Sequence, residues 1–135
     1  MLFRSKSVDC FVMATLGEGF GLPAMQCMAL NVPVIITNFS GCQDYAKDEN
    51  CTLLEPQGFM IHSNMDNIVQ FNNRKWPRIT IDSVRQALRH VFDNYELAMY
   101  KADKAYEYVH KNFNYDVVHE KFFNLMESVY GVRKT

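Results

Sequence analysis

The chain has 135 residues, with 14 Lys and Arg against 15 Asp and Glu, 48% hydrophobic side chains and 21% charged ones, the composition of one globular domain. Disordered and collagen-like chains are excluded, and a net charge of −1 lacks the field that a dedicated binder of nucleic acid or of an anionic membrane needs. Folding at this length buries about two thirds of the unfolded surface, enough for a core without staples.

Val8 to Ala14 (VDCFVMA) is short, largely apolar and rich in strand formers, and reads as a buried strand. Gly17, Gly19 and Gly21 follow, then a helix over Leu22 to Leu30, with Pro23 at a first-turn position and Leu22, Met25, Met28 and Ala29 on one face. Val32 to Thr37 (VPVIIT) reads as a second buried strand. Strand, glycine loop, helix and strand make a βαβ unit and hence a parallel sheet. A turn at Ser40 and Gly41, a short helical stretch near Gln43 to Lys47 and a third strand, Cys51 to Glu55, complete an α/β part over residues 1–56. Residues 57–80 turn polar, lose periodicity and contain Pro77, so they read as a surface loop.

From Ile81 the helical period returns, with Asp82 as N-cap and Val84, Ala87, Leu88, Val91 and Phe92 on one face. A second helix over about Glu96 to Lys111 carries Met99, Ala102, Ala105, Tyr106 and Val109. A third, from Asp116 to Val129, carries Val118, Phe122, Leu125, Met126 and Val129 before Gly131. Residues 81–131 are thus an all-helical packing tail, in which Tyr106, Phe122 and Phe123 are read as core. No internal repeat is visible.

Cys10, Cys27, Cys42 and Cys51 stand 17, 15 and 9 residues apart, with no CxxC and no His at zinc-finger spacing, and read as reduced packing residues. The start, MLFRSKSVDCFVM, carries charges at Arg4, Lys6 and Asp9 and lacks the long apolar core of a signal peptide. Apolar runs such as Val32 to Ile36 fall far short of the roughly 20 residues that span a bilayer. A cytoplasmic protein without a transmembrane segment is expected.

The segment with chemical content is Glu18 to Gln26, EGFGLPAMQ, because it sets glycines and a carboxylate between the end of a parallel strand and the start of a helix. Ligands of open α/β sheets lie beyond the carboxyl ends of the strands, and a helix start offers N–H groups to phosphate. Glu18 would repel phosphate and is better suited to accept from sugar hydroxyls; Gln26, in the first helical turn, can do the same. The competing reading is that the glycines only shape a tight turn and Glu18 complements the helix dipole. Elsewhere the signals are thin. His62, His90, His110 and His119 are scattered without a carboxylate at metal spacing, so no metal site is expected. Arg74, Lys75, Trp76 and Arg78 form a basic-aromatic cluster that reads as a solvated turn with Trp76 pinned on the core. Ser40 and Ser63 have no GxSxG context.

EGFGLPAMQCMALNVPVIITNFSG resembles the signature of retaining glycosyltransferases of the GT-B fold, family four in the usual classification. Val8, Asp9, Cys10, Phe11 and Val12 match its first strand, Met28 and Ala29 its helix, Pro33 to Thr37 its second strand, and Gly41 with Asp44 its turn; Ala98 to Phe113, with Asn114 and Tyr115, resembles its final helices. The resemblance implies the C-terminal part of a Rossmann-like donor domain, about three parallel strands followed by a helical tail. It also implies hexose transfer from a nucleotide-diphosphate sugar with retention, without a protein nucleophile or an obligatory metal. By the same resemblance Glu18 attends the donor sugar, the amides of Phe20, Gly21 and Leu22 beside Gly19 face the diphosphate, and Gln26 stands where a glutamate meets the ribose hydroxyls. A glutamine keeps an acceptor but loses charge-assisted strength. The match implies that the chain starts near the fourth strand of a donor domain, without the acceptor domain or the basic pair that clamps the diphosphate; Arg4 and Lys47 do not stand where that pair would. A noncatalytic remnant or partner subunit that acts by association is therefore the second expectation. In a 3-2-1-4-5-6 sheet, strand Val8 to Ala14 would be left with a bare edge, open to a complementary N-terminal chain or to self-association.

Overall fold

A computed structural model describes residues 6–61 and 75–131. Three short strands, β1 (Phe11–Met13), β2 (Val34–Thr37) and β3 (Thr52–Leu54), form a parallel sheet in that order, in register Val12 to Ile35 and Ile36 to Leu53. Helix α1 (Leu22–Met28) crosses from β1 to β2, and a 3-10 turn, Ser40–Asp44, leads from β2 towards β3. The α/β class and the chain order of these elements agree with the sequence. The strands are shorter than their apolar runs, and β1 has a partner only on the β2 side among the described residues. Beyond Phe11 and Met13 the backbone has no ladder to join. The helical stretch expected at Gln43 to Lys47 is instead the 3-10 turn, begun three residues earlier.

The sheet is covered on both faces, as a parallel sheet must be. On one side Val34 and Ile36, with Phe11 and Met13, pack on Ala24, Cys27 and Met28 of α1 and on Ala105 and Val109 of α3 (Tyr95–Asn112). On the other, Ile35 and Leu54, with Cys10 and Val12, meet Val91 of α2 (Ile81–Asp93) and Ala98 of α3. Small residues at 98, 102 and 105 let α3 lie close enough to join both layers.

The segment 57–80 departs from the expected loop. Its described part holds β4 (Phe59–Ile61) and β5 (Lys75–Pro77), an antiparallel pair with Met60 opposite Trp76, extended by Arg78 N–H to Gly58 O and Gln57 N–H to Arg78 O, both at 2.9 Å. Backbone pairing needs no apolar period, and Pro77 stands at the end of its strand, where a missing N–H costs little. His62, Ser63 and Arg74 lie outside the described residues, as does Arg4.

Helix α2 is capped by Thr80, whose Oγ1 accepts from Ser83 N–H at 3.2 Å, and not by Asp82, which lies in the first turn and pairs with Arg85. Its apolar face is only partly covered. Val91 is buried, whereas Leu88 and Phe92 are 43% and 74% exposed. Tyr106 of α3 is 43% exposed at the margin of the face that buries Ala102, Ala105 and Val109, and the last helix, α4 (Tyr115–Tyr130), has no buried residue, with Phe122 55% exposed and Phe123 half-buried, so none of the three is core. The helical period found these faces correctly, but no described element covers them.

The cysteines are free, and Cys27, Cys42 and Cys51 are buried. Burial, aided by the charge of Asp9, pushes the Cys10 thiol up to about 11; burial pushes Cys51 up to about 12 against the opposing pull of Lys101, and raises Cys42 and the hydroxyl of Tyr45 as well. Between the ordinary thiol value of 9.0 and these raised values the folded chain keeps protons that the unfolded chain releases, so stability falls as pH rises. The urea midpoint is expected to decline above about pH 9, and at pH 8 iodoacetamide should label Cys42 and Cys51 only when urea is present.

Candidate functional site

The loop that leaves β1 is fastened at Thr15, Gly17 and Glu18. Thr15 N–H donates to Oγ1 of Thr37, a buried residue at the end of β2, at 3.1 Å. Thr15 Oγ1 accepts from Gly17 N–H at 3.2 Å, and its one proton has Gly17 O at 3.1 Å and Glu18 Oε1 at 3.3 Å in reach. Ser40 Oγ accepts from Glu18 N–H at 3.0 Å and donates to Glu18 O at 2.5 Å, and Gly41 N–H reaches the same carbonyl at 3.2 Å. The Glu18 carboxylate is thus half-buried and held at the carboxyl end of β1.

Gly41 is where the two turns meet. A Cβ there would stand 1.9 Å from Gly19 O, so no side chain fits. Gly21 is constrained differently: its φ is 78°, and a Cβ would lie within 3 Å of Tyr45 Oη, Cys42 Sγ and Met13 Cε. Its carbonyl accepts from Tyr45 Oη–H at 2.8 Å and from Ala24 N–H at 3.1 Å. With that carbonyl turned inwards, the trans peptide turns Leu22 N–H outwards. Likewise the Glu18 carbonyl, held by the 40–41 turn, aims Gly19 N–H away from it. Gly19 itself faces open space.

Phe20 directs its ring inwards, 5.2 Å from Tyr45 and 5.7 Å from Phe113, so only its backbone is left to meet a ligand. Gln26 is half-buried and stands one turn after the exposed Leu22 on the same face of α1. The structure therefore brings Glu18 and Gly19 to Leu22 together at one rim, with Gln26 a turn deeper.

Sequence reasoning missed four of the residues that hold this rim: Thr15, Thr37, Ser40 and Tyr45. Trp76, read as pinned on the core, is half-buried against the loop, its ring 3.3 Å from where a Gly17 Cβ would be, and the rings of Phe39 and Phe59 pack on each other at 5.8 Å. Lys75 and Arg78 are exposed. Among the described residues no three His, Cys, Asp or Glu side chains come together to hold a metal, and no helix is long and apolar enough to cross a membrane.

A carboxylate and a glycine loop thus lie beyond the carboxyl end of the first of three parallel strands, the position at which open α/β domains hold ligands. Residues 2–74 match the family described as glycosyl transferases group 1, and the chain belongs to it. Its fold is that of GT-B C-terminal domains. Sucrose-phosphate synthase from Thermosynechococcus elongatus superposes with a TM-score of 0.71 at 19% identity over 95% of this chain and 27% of its own. Anabaena Alr3699/HepE, solved in complex with UDP and glucose, gives 0.72 at 12% identity over 93% and 29%. The C-terminal domain of a glycosyl transferase group 1 family protein (LpcC) from Francisella tularensis gives 0.60 at 22% identity over 83% and 47%. The chain thus spans between about a quarter and a half of these structures, which share its fold. No curated protein matches it.

The 1.9 Å approach predicts that Gly41→Ala lowers stability by at least about 2 kcal/mol in urea titrations, since backbone on both sides must move. Gly19→Ala, with nothing within 4 Å, should leave the midpoint within about 0.5 kcal/mol of the wild type.

Proposed function

We propose that this chain is the donor-binding portion of a cytoplasmic glycosyltransferase that moves a hexose from a nucleotide-diphosphate sugar to an acceptor with retention. The observation that carries the reading is the Glu18 carboxylate, fastened at the strand end beside an outward Leu22 N–H and the open Gly19. Family membership supports the reaction class, the UDP and glucose held by HepE support the donor class, and the free thiols suit a reducing compartment.

In this reading Glu18 accepts from hydroxyls of the donor sugar, and the amides of Phe20, Gly21 and Leu22 meet the diphosphate. The bond from the anomeric carbon to the diphosphate oxygen breaks, the acceptor oxygen bonds that carbon on the same face, and the departing phosphate takes the acceptor's proton. Neither a protein nucleophile nor a resident metal is required. Gln26 accepts from the ribose with one carbonyl oxygen, where a carboxylate would grip two hydroxyls.

Calorimetry with UDP, UDP-glucose and their purine counterparts tests this, and the one tryptophan of the chain, Trp76, gives a second signal beside Gly17. Saturable binding is expected, weakened at least about tenfold by Glu18→Ala for the nucleotide sugar and far less for the bare diphosphate. Gln26→Glu should tighten the ribonucleotide by about 1–2 kcal/mol, five- to thirtyfold, and the deoxyribose analogue much less. No saturable binding to any nucleotide sugar would sink the donor site.

One observation favours a second role by association. The open edge of β1 and the uncovered face of α2 border an apolar groove of about 900 Å³, lined by Cys10, Leu16, Val84, Leu88 and Phe92. Its natural occupant is the part of a GT-B donor domain to which this chain does not correspond, the chain spanning 47% of the matched C-terminal domain. A chain of residues 1–135 by itself should pair through this groove: light scattering at high micromolar concentration should show a mass above monomer, restored to monomer by Phe92→Asp. A strict monomer whose β1 amides exchange slowly would rule it out.

A further inference from the structure

Among the described residues, Asn31 and Ser40 are the non-glycine residues with positive φ, at 60° and 62°. Asparagine tolerates this left-handed conformation; serine has no such ease, and the contacts of Ser40 explain what holds it there. Its hydroxyl accepts from Glu18 N–H at 3.0 Å and from its neighbour Gly41 N–H at 2.7 Å, and donates to Glu18 O at 2.5 Å. Two accepted bonds and one donated bond exhaust what a hydroxyl can make. Both backbone groups of Glu18 thus rest on one oxygen 22 residues away in sequence.

We propose that Ser40 is a positioning residue for Glu18: its strained backbone turns the hydroxyl onto the Glu18 peptide, which fixes where the carboxylate stands. The assignment rests on the reading of Glu18 as a donor-sugar residue and goes beyond it by naming what aims the carboxylate. Thr15 Oγ1 lies within reach of the side chain and Gly41 N–H reaches the carbonyl, so loss of the Ser40 hydroxyl frees the Glu18 N–H while leaving the carboxylate and the carbonyl each a partner.

Two substitutions separate strain from positioning, because both remove the hydroxyl but only glycine relieves the backbone. Ser40→Gly should lose less of its melting temperature than Ser40→Ala, yet the Glu18 amide should exchange at least about tenfold faster than in the wild type and UDP-glucose should bind at least about fivefold more weakly. Ser40→Ala should lose amide protection to the same extent and melt lower than Ser40→Gly. A residue that merely shaped the turn would give the opposite pattern, with Ser40→Gly matching wild type in exchange and affinity, and that result would overturn the assignment. Failure of the wild-type chain itself to bind any nucleotide sugar would instead strike the donor-site reading. Amide exchange needs no ligand and decides the Ser40 assignment separately.

Discussion

The arrangement depends on a contact between two turns. Parallel pairing of β1 with β2 brings both carboxyl ends to the same side of the sheet, and the chain leaving each strand must then share one small space. It does so by removing side chains at the point of closest approach, Gly41 against the carbonyl of Gly19, and by filling the remaining donor and acceptor positions with Ser40 and Thr37. Were the turns to separate, the Glu18 peptide would lose its partners, and water would compete for each of them. Each such bond contributes only about 1 kcal/mol. Their collective effect is geometric, since together they leave the loop little freedom before a ligand arrives.

A second layer ties this rim to the core. Tyr45, buried completely, donates to Gly21 O and packs against Phe20, which in turn touches Phe113 at the end of α3. Aromatic contacts of this kind are worth about 0.5–1.5 kcal/mol beyond the area they bury. The hydrophobic core and the rim therefore share residues. Phe20 does not choose between holding a ligand and holding the fold, because its ring does the second and its backbone is left for the first.

What the sequence made legible follows from range. Periods of two and 3.6 are local, so the βαβ unit, the three tail helices and the glycine loop could be read from neighbours along the chain. Pairing of β4 with β5 is not periodic in apolar residues, and the polar 57–80 segment gave no reason to expect it. The cap at Thr80 was displaced to Asp82 because both residue types cap well and only the bond to Ser83 decides. The roles of Thr15, Thr37, Ser40 and Tyr45 were hidden for a different reason. Thr37, Ser40 and Tyr45 each act across 22 or more residues, Thr15 acts on Gly17 and Glu18 close by, and a lone Ser or Thr has no spacing by which to announce a partner. A weak signal existed in Ser40, next to a glycine in the turn after a buried strand, where short polar residues often hold backbone.

The rim and the apolar groove adjoin through β1 and the loop after it, where Leu16 lines the groove between Thr15 and Gly17 of the rim, and that sets how association could bear on binding. Ser40, Gly41, Tyr45 and Trp76 all reach the loop from β2, the turn after it or β5, so the contacts around Glu18 are complete whether or not the groove is filled. Thr15 differs, for it follows β1 by two residues, and β1 is a strand of three with one described neighbour. A short edge strand opens more readily than a central one. An occupant that paired with the outer edge of β1 would slow that opening and hold Thr15, and through it the Glu18 carboxylate, more often in the bonded arrangement. If the rim holds the donor as proposed, occupancy of the groove and affinity at the rim are coupled in both directions, because whatever stabilises β1 stabilises the bonded arrangement of Thr15 and Glu18.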